Sequence, residues 1–420
     1  MGPLEGYRVL DFTGEIGQYC GKLLAEMGAE VIKVEPPEGD PVRRLGPFYL
    51  DERDANKSLR WFTLNGSKRG VTLALDTTGG RDLLERLLDT AQVVLTSWTR
   101  REAEALGMDE RAVRQRHPDL VYTSITGYGL DGPYADYRWC DMTGLALGGF
   151  MFLTGDADRP PVVFRAPQAY LNASGQAATG TALALFHRTR TGNGQLVDVS
   201  MQEAVTYNLN GPGSIVSWWS GLGMNIGRQG GSLNFGHIIW RVMLPCKDGY
   251  SANSGILGSV GGRFQALVDL MEKEGVAEDL TDPKWLTATT FPAGPGHWQA
   301  SQEELDHAYD IFENWLKLHT KAEIMELAVR HDLQVYPVNT TADLLESPQL
   351  DARAYFVDVP HPELDRSIRY AGPPYKLSLT PAGMRHRAPL LGEHNQAVYG
   401  DELGLSRERI ESLKADGVIS

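Results

Sequence analysis

YRVLDFTGEIGQYCGKLLAEMGAEVIKVE, residues 7–35, reads as a strand, a glycine-bearing turn, a helix and a second strand. Tyr7–Phe12 is a short apolar run of β-forming residues. Thr13, Gly14 and Gly17 make the turn. Tyr19–Met27 carries apolar residues near helical spacing and stops at Gly28, and Glu30–Glu35 is the second strand. Such a βαβ unit sets its strands parallel, because the crossover returns the chain to the same edge of the sheet. Working outward, Val71–Leu75, Val93–Leu95 and Leu120–Ile125 repeat the strand pattern, with Gly80–Leu88 and Asp109–Arg116 as helical connectors. The spacing predicts an α/β fold with an open Rossmann-like sheet. The turn itself argues against a nicotinamide dinucleotide. Gly14–Gly21 is not G-x-G-x-x-G, and Glu35 runs into the turn-rich Pro36–Arg43 rather than ending a ribose-binding strand.

Further along, Ala173–Arg188 is a run of small and apolar residues punctuated by Gly175 and Gly180, as in a tightly packed helix. Val197–Ala204 reads as a strand passing into a helix, with Glu203 in the passage. The Gly-, Ser- and Trp-rich Asn210–Gly223 (NGPGSIVSWWSGLG) reads as a linker. Lys247–Gly249 turns between two apolar segments, and helices are expected at Phe264–Lys273 and Glu303–His319. Near Leu333 the character reverts, with a strand at Val335–Val338, a helix starting at Ser347-Pro348 and another at Arg407–Leu413. The expected layout is a large Rossmann-like domain from residues 1–209, a linker and smaller α+β middle domain at 210–332, and a return to the large domain at 333–420.

The bulk numbers narrow the class. The chain has 420 residues, 42% hydrophobic and 22% charged, with a net charge of −14 and a mean hydropathy of −0.28. That balance argues against a nucleic-acid partner, which would call for a basic surface. Cys20, Cys140 and Cys246 are too few and too scattered for a disulfide framework or a zinc site. The opening residues show no basic region followed by an apolar one, and no apolar stretch is long enough to span a bilayer. A cytoplasmic protein with no metal and no membrane partner is expected.

Several strings, in order, carry a resemblance: Pro3–Asp11 (PLEGYRVLD), Gly28–Arg43 (GAEVIKVEPPEGDPVR), Leu64–Leu73 (LNGSKRGVTL), Ile125–Pro133 (ITGYGLDGP), Leu244–Tyr250 (LPCKDGY) and Pro389–His394 (PLLGEH). With Pro167–Arg188 and Thr191–Ala204, they make the chain similar to the family III CoA-transferases over nearly its whole length. The resemblance implies an enzyme that moves CoA from an acyl-CoA to a carboxylic acid through intermediates on one aspartate. It also implies two chains threaded through each other, each with a Rossmann-like large domain from both chain ends and a small middle domain. Acyl-CoA is then a substrate, and Arg43, Lys68 and Arg138 stand where the family contacts its phosphates and pantetheine. A further family arginine aligns with Ala105, with Arg100 or Arg101 one turn away.

The same alignment exposes departures. Tyr170 stands at the position of the acyl-carrying aspartate, and a phenol with a pKa near 10 is a poor carboxylate substitute. Cys140 precedes Asp141 where the acyl-CoA racemases of the family carry histidine, so a racemase would lose both acid/base partners. Glu15 lies where the transferases often have glutamine. The favoured expectation is one half of a heteromeric CoA-transferase whose related partner subunit carries the aspartate. The alternatives are a nucleophile relocated to Glu15 or Asp141, a racemase, and a non-enzymatic acyl-CoA-binding protein.

Overall fold

The computed structural model describes residues 2–210, 215–234, 238–253, 262–289 and 298–420. Its chain divides into two compact units. One comprises Met1–Met151, Val163–Asn225 and Pro348–Ser420; the other comprises Phe152–Val162 and Ile226–Ser347.

The first unit is built on β1 (Arg8–Asp11), β2 (Glu30–Glu35), β3 (Arg69–Thr72), β4 (Val93–Thr96), β5 (Val121–Thr126) and β6 (Leu196–Ser200). All are parallel, in the order β3-β2-β1-β4-β5-β6. The connecting helices are α1 (Glu15–Glu26), α2 (Leu59–Asn65), α3 (Thr78–Leu88), α4 (Arg100–Ala105), α5 (Glu110–Arg116), α6 (Asp141–Leu147), α7 (Gln168–Thr191) and α8 (Met201–Tyr207).

Successive strand residues point to opposite faces, and both faces are covered, which is why β1 to β5 are buried along almost their whole length. Val9, Val31, Val93 and Val121 face α1 and α7, meeting Cys20, Leu24, Ala173 and Ala177. Leu10, Ile32, Val94 and Tyr122 face the other way, toward Leu84 and Leu87 of α3 and Ile410 and Leu413 of the C-terminal helix Arg407–Ala415. Gly28, at φ 108, lets the chain leave α1 in a left-handed conformation that a β-carbon would strain.

In the second unit, strands Met243–Cys246 and Gly249–Asn253 form an antiparallel hairpin, joined by Val335–Pro337. Trp315, Phe312 and Tyr309 of helix Gln302–Leu316 fill its core against Leu267 and Met271 of helix Gly262–Lys273.

Three expectations are corrected. Val335–Val338 does not begin a return to the large unit: Val335–Pro337 pairs with Gly249–Asn253 of the small one, and the change of unit falls at Pro348. The presumed linker at Asn210–Gly223 contains a helix, α9 (Ile215–Leu222), closed by the Gly223 N–H on the Trp219 carbonyl at 2.9 Å; its remaining residues 211–214 lie outside the described ones. The first unit also takes this helix in, so that the boundary lies at Asn225 rather than at 209. Among the described residues no helix is long and apolar enough to cross a membrane.

Candidate active site

From the middle of the sheet, the strands are laid down in the order β1, β2, β3 toward one edge and β4, β5, β6 toward the other. A crevice therefore opens at the carboxyl ends of β1 and β4, where open α/β sheets hold their ligands. A cavity of about 1160 Å3 lies there, bordered by Phe12 and Gly14 after β1, Ser97 and Trp98 after β4, and Tyr137 and Arg138 of the loop after β5. Phe12 and Trp98 meet at 5.5 Å between ring centroids, so one wall is aromatic.

Beside Gly14 lies Glu15, the first residue of α1, and α1 packs along α7. The small residues Ala169, Ala173 and Ala177 of α7 are fully buried and permit that approach. The helix α7 starts after Pro167, which supplies no capping side chain. Its cap comes from a neighbouring helix instead. The Asp141 Oδ1, on the first residue of α6, accepts the Tyr170 N–H at 3.0 Å, and the Ala169 N–H binds the same carboxylate. Two otherwise unpaired amides of the first turn are thereby satisfied.

Tyr170 is thus held in the first turn of α7, half-buried against the apolar core. Burial raises its phenol pKa, and the neighbouring acidic groups, Glu15 foremost, raise it further. The phenol stays neutral and un-nucleophilic. Burial also pushes the Asp141 carboxyl above its ordinary range; the two amides oppose that shift and the Glu15 charge adds to it. Cys140 is exposed and caps α6. Tyr170, Asp141, Cys140 and Glu15, singled out separately in the sequence, therefore sit together. The sequence reading missed the cation of this cluster: Arg60 of α2, whose Nη1 donates to Glu15 Oε1 at 2.6 Å. Its segment carries no motif that would have marked it.

The expected phosphate contacts separate. Arg138 is exposed and borders the cavity. Arg101 borders it too, 3.7 Å from Asp136, whereas Arg100 donates to the Leu130 carbonyl at 3.0 Å. Arg43 and Lys68 are not available to a phosphate. The guanidinium of Arg43 is 1% exposed, takes both oxygens of Glu35 at 2.6 and 2.8 Å, donates to Asn56 and the Pro389 carbonyl at 3.0 Å, and lies 3.8 Å over the Trp61 ring. Lys68 is 0% exposed, and its three ammonium protons have three acceptors: Asp11 Oδ2 at 2.8 Å, the Gln18 carbonyl at 2.7 Å and Asn65 Oδ1 at 2.8 Å.

Lys33 extends this network to Asp40 at 3.1 Å and to the Thr13 carbonyl. Burial alone would push the Asp11 carboxyl up; Lys68 and Lys33 overcome it and hold the carboxyl below its ordinary value. These cations brace the strand ends beneath the cleft. Among the described residues no group of three or more His, Cys, Asp or Glu is placed to hold a metal ion.

Fold and cleft together define an open, doubly wound α/β protein with its ligand crevice at the carboxyl ends of a parallel sheet. The chain belongs to CoA-transferase family III, which it matches over residues 4–395. It is 34% identical to a succinyl-CoA:(R)-benzylsuccinate CoA-transferase subunit of Thauera aromatica, over 98% of this chain and 97% of the relative. It is 32% identical to a formyl-CoA:oxalate CoA-transferase of Streptomyces avermitilis, over 99% of each. It is also 31% identical to a succinyl-CoA–D-citramalate CoA-transferase of Chloroflexus aurantiacus, over 99% of this chain and 98% of the relative. Among solved structures, a CAIB/BAIF family protein from Brucella suis superimposes with a TM-score of 0.80 at 26% identity, over 95% of this chain and 99% of that one.

Proposed function

We propose that this chain is the nucleophile-lacking subunit of a heteromeric family III CoA-transferase. The enzyme would move CoA from an acyl-CoA, such as succinyl-CoA, to a free carboxylic acid, with the acyl-carrying aspartate supplied by a related second chain. The reading rests on the half-buried phenol of Tyr170, which burial holds neutral and which the sequence resemblance aligns with the family's acyl-carrying aspartate. Covalent catalysis needs a carboxylate in line with the thioester carbonyl, with reacting atoms about 3–3.5 Å apart. Tyr170 offers none. A relative that is itself named as a subunit supports the division of labour, and the family's threaded pairing of chains, with the large domain built from both chain ends, is part of the proposal. Acyl-CoA would lie in the cleft with Arg138 and Arg101 toward its phosphates.

A second reading keeps catalysis in this chain through a relocated carboxylate. Here Glu15 is favoured over Asp141, because the Asp141 carboxylate is engaged by the amides of α7. Hydroxylamine trapping on the purified chain, incubated with succinyl-CoA, separates the two. The subunit reading expects no trapped acyl group on wild type and a trapped one on Tyr170→Asp. Trapping on wild type that disappears in Glu15→Gln would establish the second reading instead.

A further inference from the structure

The site holds a cation, Arg60, that neither reading uses. Arg60 and Glu15 meet at 2.6 Å with side chains 39% and 20% exposed, whereas Arg43 and Glu35, the corresponding pair beneath the cleft, are 1% and 0% exposed. A solvent-borne anion can therefore exchange with the first pair without opening the buried network. Glu15 uses one guanidinium nitrogen of Arg60, and a planar guanidinium can receive a carboxylate on two nitrogens side by side. The Glu15 carboxylate, like that of Asp141, lies close enough to act on the Tyr170 phenol.

We infer that Arg60 is the acid-recognition residue of this site: it binds the carboxylate of a free carboxylic acid, and Glu15 occupies it until the acid arrives. The internal carboxylate and the ligand compete for one cation. A bound acid displaces Glu15, whose released charge then stands near Asp141, so the two anions repel. Removing the charge of Glu15 should for that reason tighten acid binding, an effect opposite in sign to the loss of Arg60. The ligand class rests on the CoA-transferase reading, because acids are the family's acceptors. The assignment does not depend on which chain carries the nucleophile.

Titration calorimetry on the full chain tests it, with succinate as the probe, succinamide as the uncharged control and no acyl-CoA present. Wild type should bind succinate and not succinamide. Arg60→Gln should weaken succinate binding roughly tenfold or more, the size of a lost charge-assisted bond, with Arg60→Lys recovering part of it. Glu15→Gln should tighten binding roughly two- to fivefold, as expected for releasing a partly exposed ion pair. Thermal melting of each variant reports folding. Unchanged succinate affinity in Arg60→Gln, weaker affinity in Glu15→Gln, equal binding of succinamide, or no succinate binding by either wild type or Glu15→Gln would each overturn the assignment. Failure of the subunit reading would show instead as turnover by the chain alone, which this measurement does not register.

Discussion

Replacing Asp141 separates its shape from its charge. Asn and Asp are equally good helix caps, and loss of a cap costs about 0.5–2 kcal/mol. Asp141→Ala should therefore cost about 1 kcal/mol, while Asp141→Asn should be close to neutral in urea unfolding. The raised carboxyl pKa has a definite sign: the protonated form favours the folded state, and that contribution is lost as the pH rises through the folded value. At neutral pH the Asn variant should be at least as stable as wild type.

Asp11 runs the other way. Its lowered pKa gives a contribution present above its unfolded value of about 3.9 and lost as the pH falls through the folded one. Lys68→Met strands that buried carboxylate and should cost about 3–5 kcal/mol at neutral pH. The gap to wild type should narrow as the pH falls, because the stranded carboxylate takes up a proton in the folded state before the paired one does. Urea midpoints measured across pH would show it, and a gap that does not change with pH would mean that the pair is not ionised. The residue scale is also where the sequence was least legible. Lys68 and Arg43 lie in strings that match the family, yet a string cannot show that Asp11 and Glu35, on neighbouring strands, already neutralise them.

Among the elements, the strands were easy to read because both faces of the sheet are covered, so β1, β2, β4 and β5 are buried along nearly their whole length and carry apolar residues on both faces. The helix α2, seven residues long, is too short to show a period. The hairpin Phe356–His361 with Arg366–Ala371 does alternate, with Val359 and Tyr370 buried, but Pro360 and Pro362 mask the pattern. The cap of α7 was invisible for a different reason: it belongs to α6, and the local sequence shows only Pro167. Packing, not propensity, decides one substitution in α1. A β-carbon at Gly21 would collide with Asp11 Oδ2 and come within 3.0 Å of Lys68 Nζ. Gly21→Ala should lower the melting temperature, although alanine in an open helix position is favoured by about 0.5–1 kcal/mol. A rise in melting temperature would mean that the buried ion pair moves aside without cost.

At the scale of the whole molecule, the family was legible from its ordered motifs, and Glu15, Cys140, Asp141 and Tyr170 were legible only through that resemblance; that they sit together is seen in the fold. The proposed second chain is legible only as a deficit at Tyr170, since an interface between chains has no motif in either. A C2-like pairing of related subunits preserves one interface while letting the two active sites diverge. The most direct measurement is CoA exchange between succinyl-CoA and a free carboxylic acid, run on this chain alone, on an aspartate-bearing homologue from the same source alone, and on the two co-purified, with the acyl group located by hydroxylamine trapping and mass spectrometry. The account predicts no exchange by this chain alone, exchange by the co-purified pair, and an acyl group on the homologue only. Exchange by the pure chain, with an acyl group trapped on it, would contradict it.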